Sequence, residues 1–198
     1  MKFFAALAAS LLFVAMAGLV YFVHVRFFTV DVVLYSAALD TAIGAVLTML
    51  LLFTRKKFRL FNGFEKTLLG IAWLLAGCLF ALAVPAVIDR SLSFYILEKL
   101  QQRGGAIQHA RFEEVFTREY MKEHRLVDVR LTEQQVSGTI TIENGCVRLT
   151  ERGARFAAFS RFFRTHLLPR QRLLAGKYTD DLTDPFRNSP VQTDYQCR

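Results

Sequence analysis

Thr67–Ile88 reads TLLGIAWLLAGCLFALAVPAVI. It carries no charged residue and is about as long as the ~20-residue helix that crosses the ~30 Å hydrocarbon layer of a bilayer. Lys66 stands before it and Asp89-Arg90 after it, so charge marks both ends. Pro85 falls in the last turn, where a lost backbone hydrogen bond matters least. Up to Ile88 the chain suits hydrocarbon, and beyond Asp89 it suits water.

Two earlier runs behave the same way. Phe3–Val23 is uncharged and follows Lys2. It has the start of a signal peptide, but it continues past the small-residue stretch Ala15-Met16-Ala17, so a retained transmembrane helix is expected. Ala5 and Ala9, four apart, have the spacing of close helix packing, but alanine is frequent here and a chance spacing is expected. A connection, His24–Val30, leads to the second run, Asp31–Phe53. The membrane part is thus residues 1–88, with helices over about 3–23, 31–53 and 67–88.

Asp40 is the membrane residue that stands out. At ~1.5 Å per residue it lies about 14 Å from Asp31. There an aspartate costs about 2.5–3.5 kcal/mol on insertion scales, so it should face a partner or a wet cavity. Ser36, Thr41 and Thr48 are the expected helpers. Arg55, Lys56, Lys57 and Arg59 then form a basic cluster, a topology anchor that would also touch anionic membrane lipid.

Apolar residues are 53% of the 198 and the net charge is +8. The excess charge divides evenly, with seven Lys/Arg against Asp31, Asp40 and Glu65 in residues 1–88. The remainder is therefore only mildly basic, too little to demand nucleic acid. Cys78 reads as a packing residue. Cys146 and Cys197 would pair only in an oxidising compartment, and only if the tail folds back.

After Asp89 the period changes. Ser91–Gln102 is helix-like and Gly104-Gly105 stops it. Ala110–Lys122 gives a second helix and Val127–Gln135 a third. Gly138–Ile142 and Cys146–Leu149 alternate about Asn144-Gly145, a favoured hairpin turn. Thr150 can cap a last helix running to Leu168, with Pro169 beyond it. Residues 171–198 read as an extended tail.

Helix, helix, helix, hairpin, helix is the order of a winged helix. ILEKLQQRGGAI (96–107) and SGTITIENGCVRLTERG (137–153), with its LTxxG exit from the wing, resemble that superfamily. The fold class expected is mainly α, three transmembrane helices followed by a small winged-helix-like α+β domain over 89–170. Winged helices serve as DNA readers and as protein-contact modules. In a DNA reader the third helix would present Arg130, Gln134 and Gln135. Asp128, Glu133 and Glu143 weaken the phosphate term, so a protein contact is expected over a nucleic acid. On the last helix Phe156, Phe159 and Phe163 read as the core face. Arg161, Phe162 and Arg164 read as a contact surface.

No metal-ligand spacing, phosphate loop or nucleophile motif stands in the chain. No catalytic residue, cofactor or metal is therefore expected. The expected role is that of an accessory or scaffold subunit of a bacterial-type inner-membrane complex, in envelope glycan synthesis or export, with an integral-membrane partner. The alternatives are a membrane-anchored winged-helix regulator and a small transporter component using Asp40. Topology arguments conflict. Lys2, Arg55, Lys56, Lys57, Arg59 and Lys66 on one face against Arg26, Arg90, Lys99 and Arg103 on the other put the domain outside. The resemblance to winged helices, which work mostly in the cytoplasm, and the loose position of Cys197 put it inside. A cytoplasmic domain is the expectation.

Overall fold

The computed structural model describes residues 2–187, 189 and 197. The chain divides into two units, residues 1–124 and 125–198. The first opens with α1 (Lys2–Phe27), α2 (Val33–Thr54) and α3 (Gly63–Ala83), followed after Val84 by the short α4 (Pro85–Arg90). Three helical stretches, Lys2–Phe27, Val33–Thr54 and Gly63–Arg90, are long and apolar enough to cross a membrane. That marks a membrane protein. Pro85 has no N–H to donate and sits at the first position of α4, so the third stretch breaks at Val84 without leaving an orphan donor there.

α2 packs against both α1 and α3. The contacts use small residues, because helices in lipid gain from close van der Waals approach and not from water exclusion. Ala9, Phe13 and Ala17 form the buried face of α1. The Ala5–Ala9 spacing is therefore used: Ala9 is fully buried and Ala5 packs beside it. A Cβ added to Gly44 would stand 2.6 Å from the Ala17 Cα, and one added to Gly77 would stand 2.7 Å from the Thr41 Cβ. Phe13 stacks on Trp73 at 5.6 Å, and the Trp73 indole donates to Ser10 Oγ at 3.0 Å. At the opposite end from the α1–α2 connection, Asn62 and Glu65 form a reciprocal cap on α3, and Lys2 pairs with Glu65 at 2.7 Å.

Gly44→Ile is expected to force α1 away from α2 and to destabilise the bundle by about 1–3 kcal/mol. Gly18→Ala, with nothing within 4 Å of its added Cβ, should leave the thermal unfolding of the detergent-purified chain unchanged.

The first unit continues with α5 (Leu92–Gln102), capped by Ser91, and a helical run over 109–123. That run is not a uniform α-helix. A 3-10 turn (His109–Arg111) leads to α6 (Phe112–Glu114), a π-turn (Val115–Tyr120) and α7 (Met121–Glu123).

The second unit starts at Arg125, whose φ of 44° is left-handed, and holds α8 (Leu126–Val136). Strands β1 (Ile140–Glu143) and β2 (Cys146–Leu149) pair antiparallel, Glu143 opposite Cys146. Asn144 and Gly145 both have positive φ, as their two-residue turn requires. α9 (Glu151–His166) is capped by Thr150, whose hydroxyl accepts from the Gly153 N–H at 3.0 Å.

The tail expected to be extended is partly folded. β3 (Arg172–Leu174) and β4 (Lys177–Thr179) form a second hairpin about Ala175-Gly176. Residues 188, 190–196 and 198 of that tail lie outside the described residues. Cys197 is bonded to Cys146, with Cα atoms 6.1 Å apart, so the tail does return to the first hairpin. This corrects the expectation that the domain lacks a convincing disulfide. Cys78, expected in packing, is exposed.

Candidate functional site

α1 runs to Phe27, so His24 belongs to its last turn and not to a connection. It points at α2, and its Nδ1 lies 2.6 Å from Asp40 Oδ1. Asp40 is 1% exposed, while the His24 side chain is 23% exposed. The second carboxyl oxygen, Oδ2, is buried and has no hydrogen-bond partner. Two of the three hydroxyls expected to serve Asp40, those of Thr41 and Thr48, are used otherwise. Thr41 donates to the carbonyls of Ala37 and Ala38, and Thr48 donates to that of Gly44. Asp40 lies seven residues into α2, about 10 Å below its start at ~1.5 Å per residue. Leu19, Val20, Val23, Phe28, Leu39 and Ile43 surround the pair and form an open apolar groove. The arrangement is a buried polar pair with one carboxyl oxygen left over, beside an open apolar surface.

A second cluster joins α5 to the 109–123 run. Lys99 is 5% exposed and lies 2.7 Å from Glu119 Oε2 and 2.6 Å from Glu123 Oε1. The Tyr95 hydroxyl donates to Glu123 Oε2 at 2.8 Å, and Arg103 donates to Glu119 at 3.0 Å. Tyr120 packs on Tyr95 at 4.7 Å, and the His124 ring lies against both. Hydrogen bonds from Lys99 hold Glu119 and Glu123 below the ordinary carboxylate range; Tyr95 adds to the effect at Glu123. The same bonds, to Glu119 first and Glu123 next, raise Lys99. Burial, aided by the Glu123 carboxylate, pushes Tyr95 up to about 12. Every charge here has its counter-charge, so the cluster works as a clasp between helices.

The two pKa directions set its pH window. Depressed carboxyls contribute stability above their ordinary value of 4.5, and this is lost as pH falls through the lowered values. The raised Lys99 and Tyr95 contribute below their ordinary values of 10.5 and 10.0, and this is lost as pH rises through the raised ones. Protection of the α5 amides, their exchange rate taken relative to the intrinsic rate at each pH, should therefore be greatest between about pH 5 and pH 10 and should fall on both sides. Lys99→Met should remove the acid limb.

The other expected site residues are scattered. Arg55, Lys56, Lys57 and Arg59 are all exposed around the turn between α2 and α3, where Phe58 and Phe61 are buried. Lys66, counted with them by charge, is buried with its ammonium 4.7 Å above the Phe53 ring. Arg130 pairs with Glu133 at 2.8 Å, Gln134 Oε1 accepts from Thr139 at 2.6 Å, and Gln135 is exposed. On α9 the expected core face is open: Phe156 is 56% exposed, Phe159 62% and Phe163 40%. The buried side of α9 is instead at Gly153, pressed on the backbone of Thr139. Arg161 and Phe162 are exposed, and the Arg164 guanidinium lies 5.7 Å from the Phe186 ring centroid.

His24 and the Lys99 cluster are the residues that sequence reasoning missed. Tyr95/Lys99 and Glu119/Glu123 are both i,i+4 pairs, which align as facing stripes on two helices. His24 was detectable by extending the first helix through its last apolar residues. The chain matches no protein-family model, no curated protein and no solved structure.

Proposed function

We propose that this protein is a non-enzymatic accessory or scaffold subunit of a bacterial-type inner-membrane complex, held to an integral-membrane partner within the bilayer. The observation that carries this reading is the buried Asp40 Oδ2 without a partner beside an open apolar groove. A polar acceptor in hydrocarbon is costly unless a donor reaches it, and no donor within the described residues does so. The segment from α5 to α9 is read as a winged-helix protein-contact module, on the order of its elements and the LTxxG sequence at Leu149–Gly153.

The side of the membrane is also part of the proposal. The Cys146–Cys197 bond supports an oxidising compartment, and the positive-inside count of six against four supports the same placement. We propose the extracytoplasmic side, where the sequence reading expected the cytoplasmic one. On that side DNA reading has no substrate, and envelope glycan synthesis or export is the setting that fits.

Asp40→Ala should insert normally, since the helix becomes more apolar. It should lose partner recovery by about five- to thirty-fold, the equivalent of the ~1–2 kcal/mol of a polar contact between membrane helices. Quantitative mass spectrometry of mild-detergent pull-downs measures this, and unchanged recovery would sink the reading. His24 favours one competitor, a small transporter component, because it supplies the second polar residue that a proton path through Asp40 needs. Proton flux through the purified chain in liposomes, lost with Asp40→Ala, would establish that instead.

A further inference from the structure

We infer that the groove beside Asp40 takes a transmembrane helix of another chain that brings a lysine or arginine to Oδ2. This rests on the subunit reading and names the chemistry of its contact. His24 Nδ1 meets Asp40 Oδ1 at 2.6 Å, so the imidazole contact is spent on that oxygen and Oδ2 is left over. Thr41 and Thr48 are committed to backbone carbonyls of their own helix, and Oδ2 has no partner among the described residues. The walls around it are apolar side chains that remain exposed, Leu19 at 58% and Leu39 at 56%.

The occupant must therefore be apolar along its length and carry one donor. The groove follows α1 from Leu19 and just past its end to Phe28, about 13 Å at ~1.5 Å per residue, which is between two and three helical turns. That is the footprint of a packed helix. Helices pack with axes about 8–10 Å apart, and Asp40 is buried at the base of the groove, so a serine on the partner is too short. Lysine and arginine have the reach. Charge complementarity points the same way, because charge-assisted hydrogen bonds are about twice as strong as neutral ones. A basic residue in a membrane helix itself needs such a carboxylate.

The test uses the full chain in bilayers and a defined probe. The probe is a Leu/Ala host transmembrane peptide with a single Lys about 10 Å from one end, compared with the same peptide bearing Leu there. Association is read by energy transfer between labels. The Lys host should bind the parent at least ~10-fold more tightly than the Leu host. Asp40→Ala should abolish the preference. Ile43→Trp, which fills the groove and leaves the His24–Asp40 pair intact, should block the Lys host as well. No preference for Lys, or a preference that survives both variants, overturns the inference. So does native mass spectrometry that finds one phosphatidylethanolamine held by the parent, lost with Asp40→Ala and not displaced by the Lys host. In that case an amine headgroup fills the site. Should the Lys host fail while the pull-down still depends on Asp40, the subunit reading stands and only the basic-helix contact falls.

Discussion

Cys146→Ser is expected to destabilise the C-terminal unit by about 4 kcal/mol, the loop-closure value for a 51-residue separation. Few other contacts share that task. Among the described residues of this unit, only Thr139 and Gly153 are buried. Small units with so little core depend on covalent staples. The measurement is amide exchange over Thr139–Leu149 and Arg172–Thr179 in the detergent-purified full chain, with and without reductant. Exchange that is equally slow in Cys146→Ser would show that the hairpins stand without the bond. The same pair tests placement in a Cys78→Ala background. In intact cells a membrane-impermeant maleimide should label Cys146 and Cys197 only after external reduction. Labelling that appears only on lysis, with no need for reductant, would return the unit to the cytoplasm.

Gly153→Ala should cost about 3 kcal/mol, at the upper end of overpacking effects. An added Cβ would collide with the Thr139 carbonyl oxygen and stand 2.7 Å from the Leu149 Cδ1. The carbonyl cannot yield, because it accepts the Thr150 N–H at 3.1 Å and closes the base of the first hairpin. The first turn of α9 would have to lift away, taking the Thr150 cap with it. Ala157→Ser, exposed on the same helix, should shift stability by no more than about 0.5 kcal/mol. Thermal unfolding of both variants separates the two cases, and a Gly153→Ala chain as stable as the parent would refute the contact.

Gly153 sits against the Thr139 carbonyl, a contact between distant residues that the sequence around it does not state. Other features were legible from chemistry within a few residues. Three apolar runs announced three helices long and apolar enough to cross a membrane, Asn144-Gly145 announced a turn with positive φ, and Thr150 announced a cap. The second hairpin was not announced. Its turn is Ala175-Gly176, and Ala175 at φ 47° occupies a region that alanine rarely enters. Nothing local signals that conformation, because the surrounding pairing imposes it. The Phe row of α9 has helical spacing, but spacing states only that the residues share a face. Whether the face is covered depends on what packs there, and Gly153 took the contact instead.

The candidate site divides the same way. That Asp40 needed a partner followed from the sequence, because a carboxyl in hydrocarbon costs too much to stand alone. That the partner is His24 did not follow. It depends on the register between α1 and α2, which is set where Gly44 meets Ala17 and the two backbones touch. The Lys99 cluster likewise needs α5 and the 109–123 run to align, which no single helix determines. Local periodicity, turn chemistry and burial cost act over a few residues and are written in the chain. Which side chains meet across helices is decided by packing register, and that exists only once the helices are side by side.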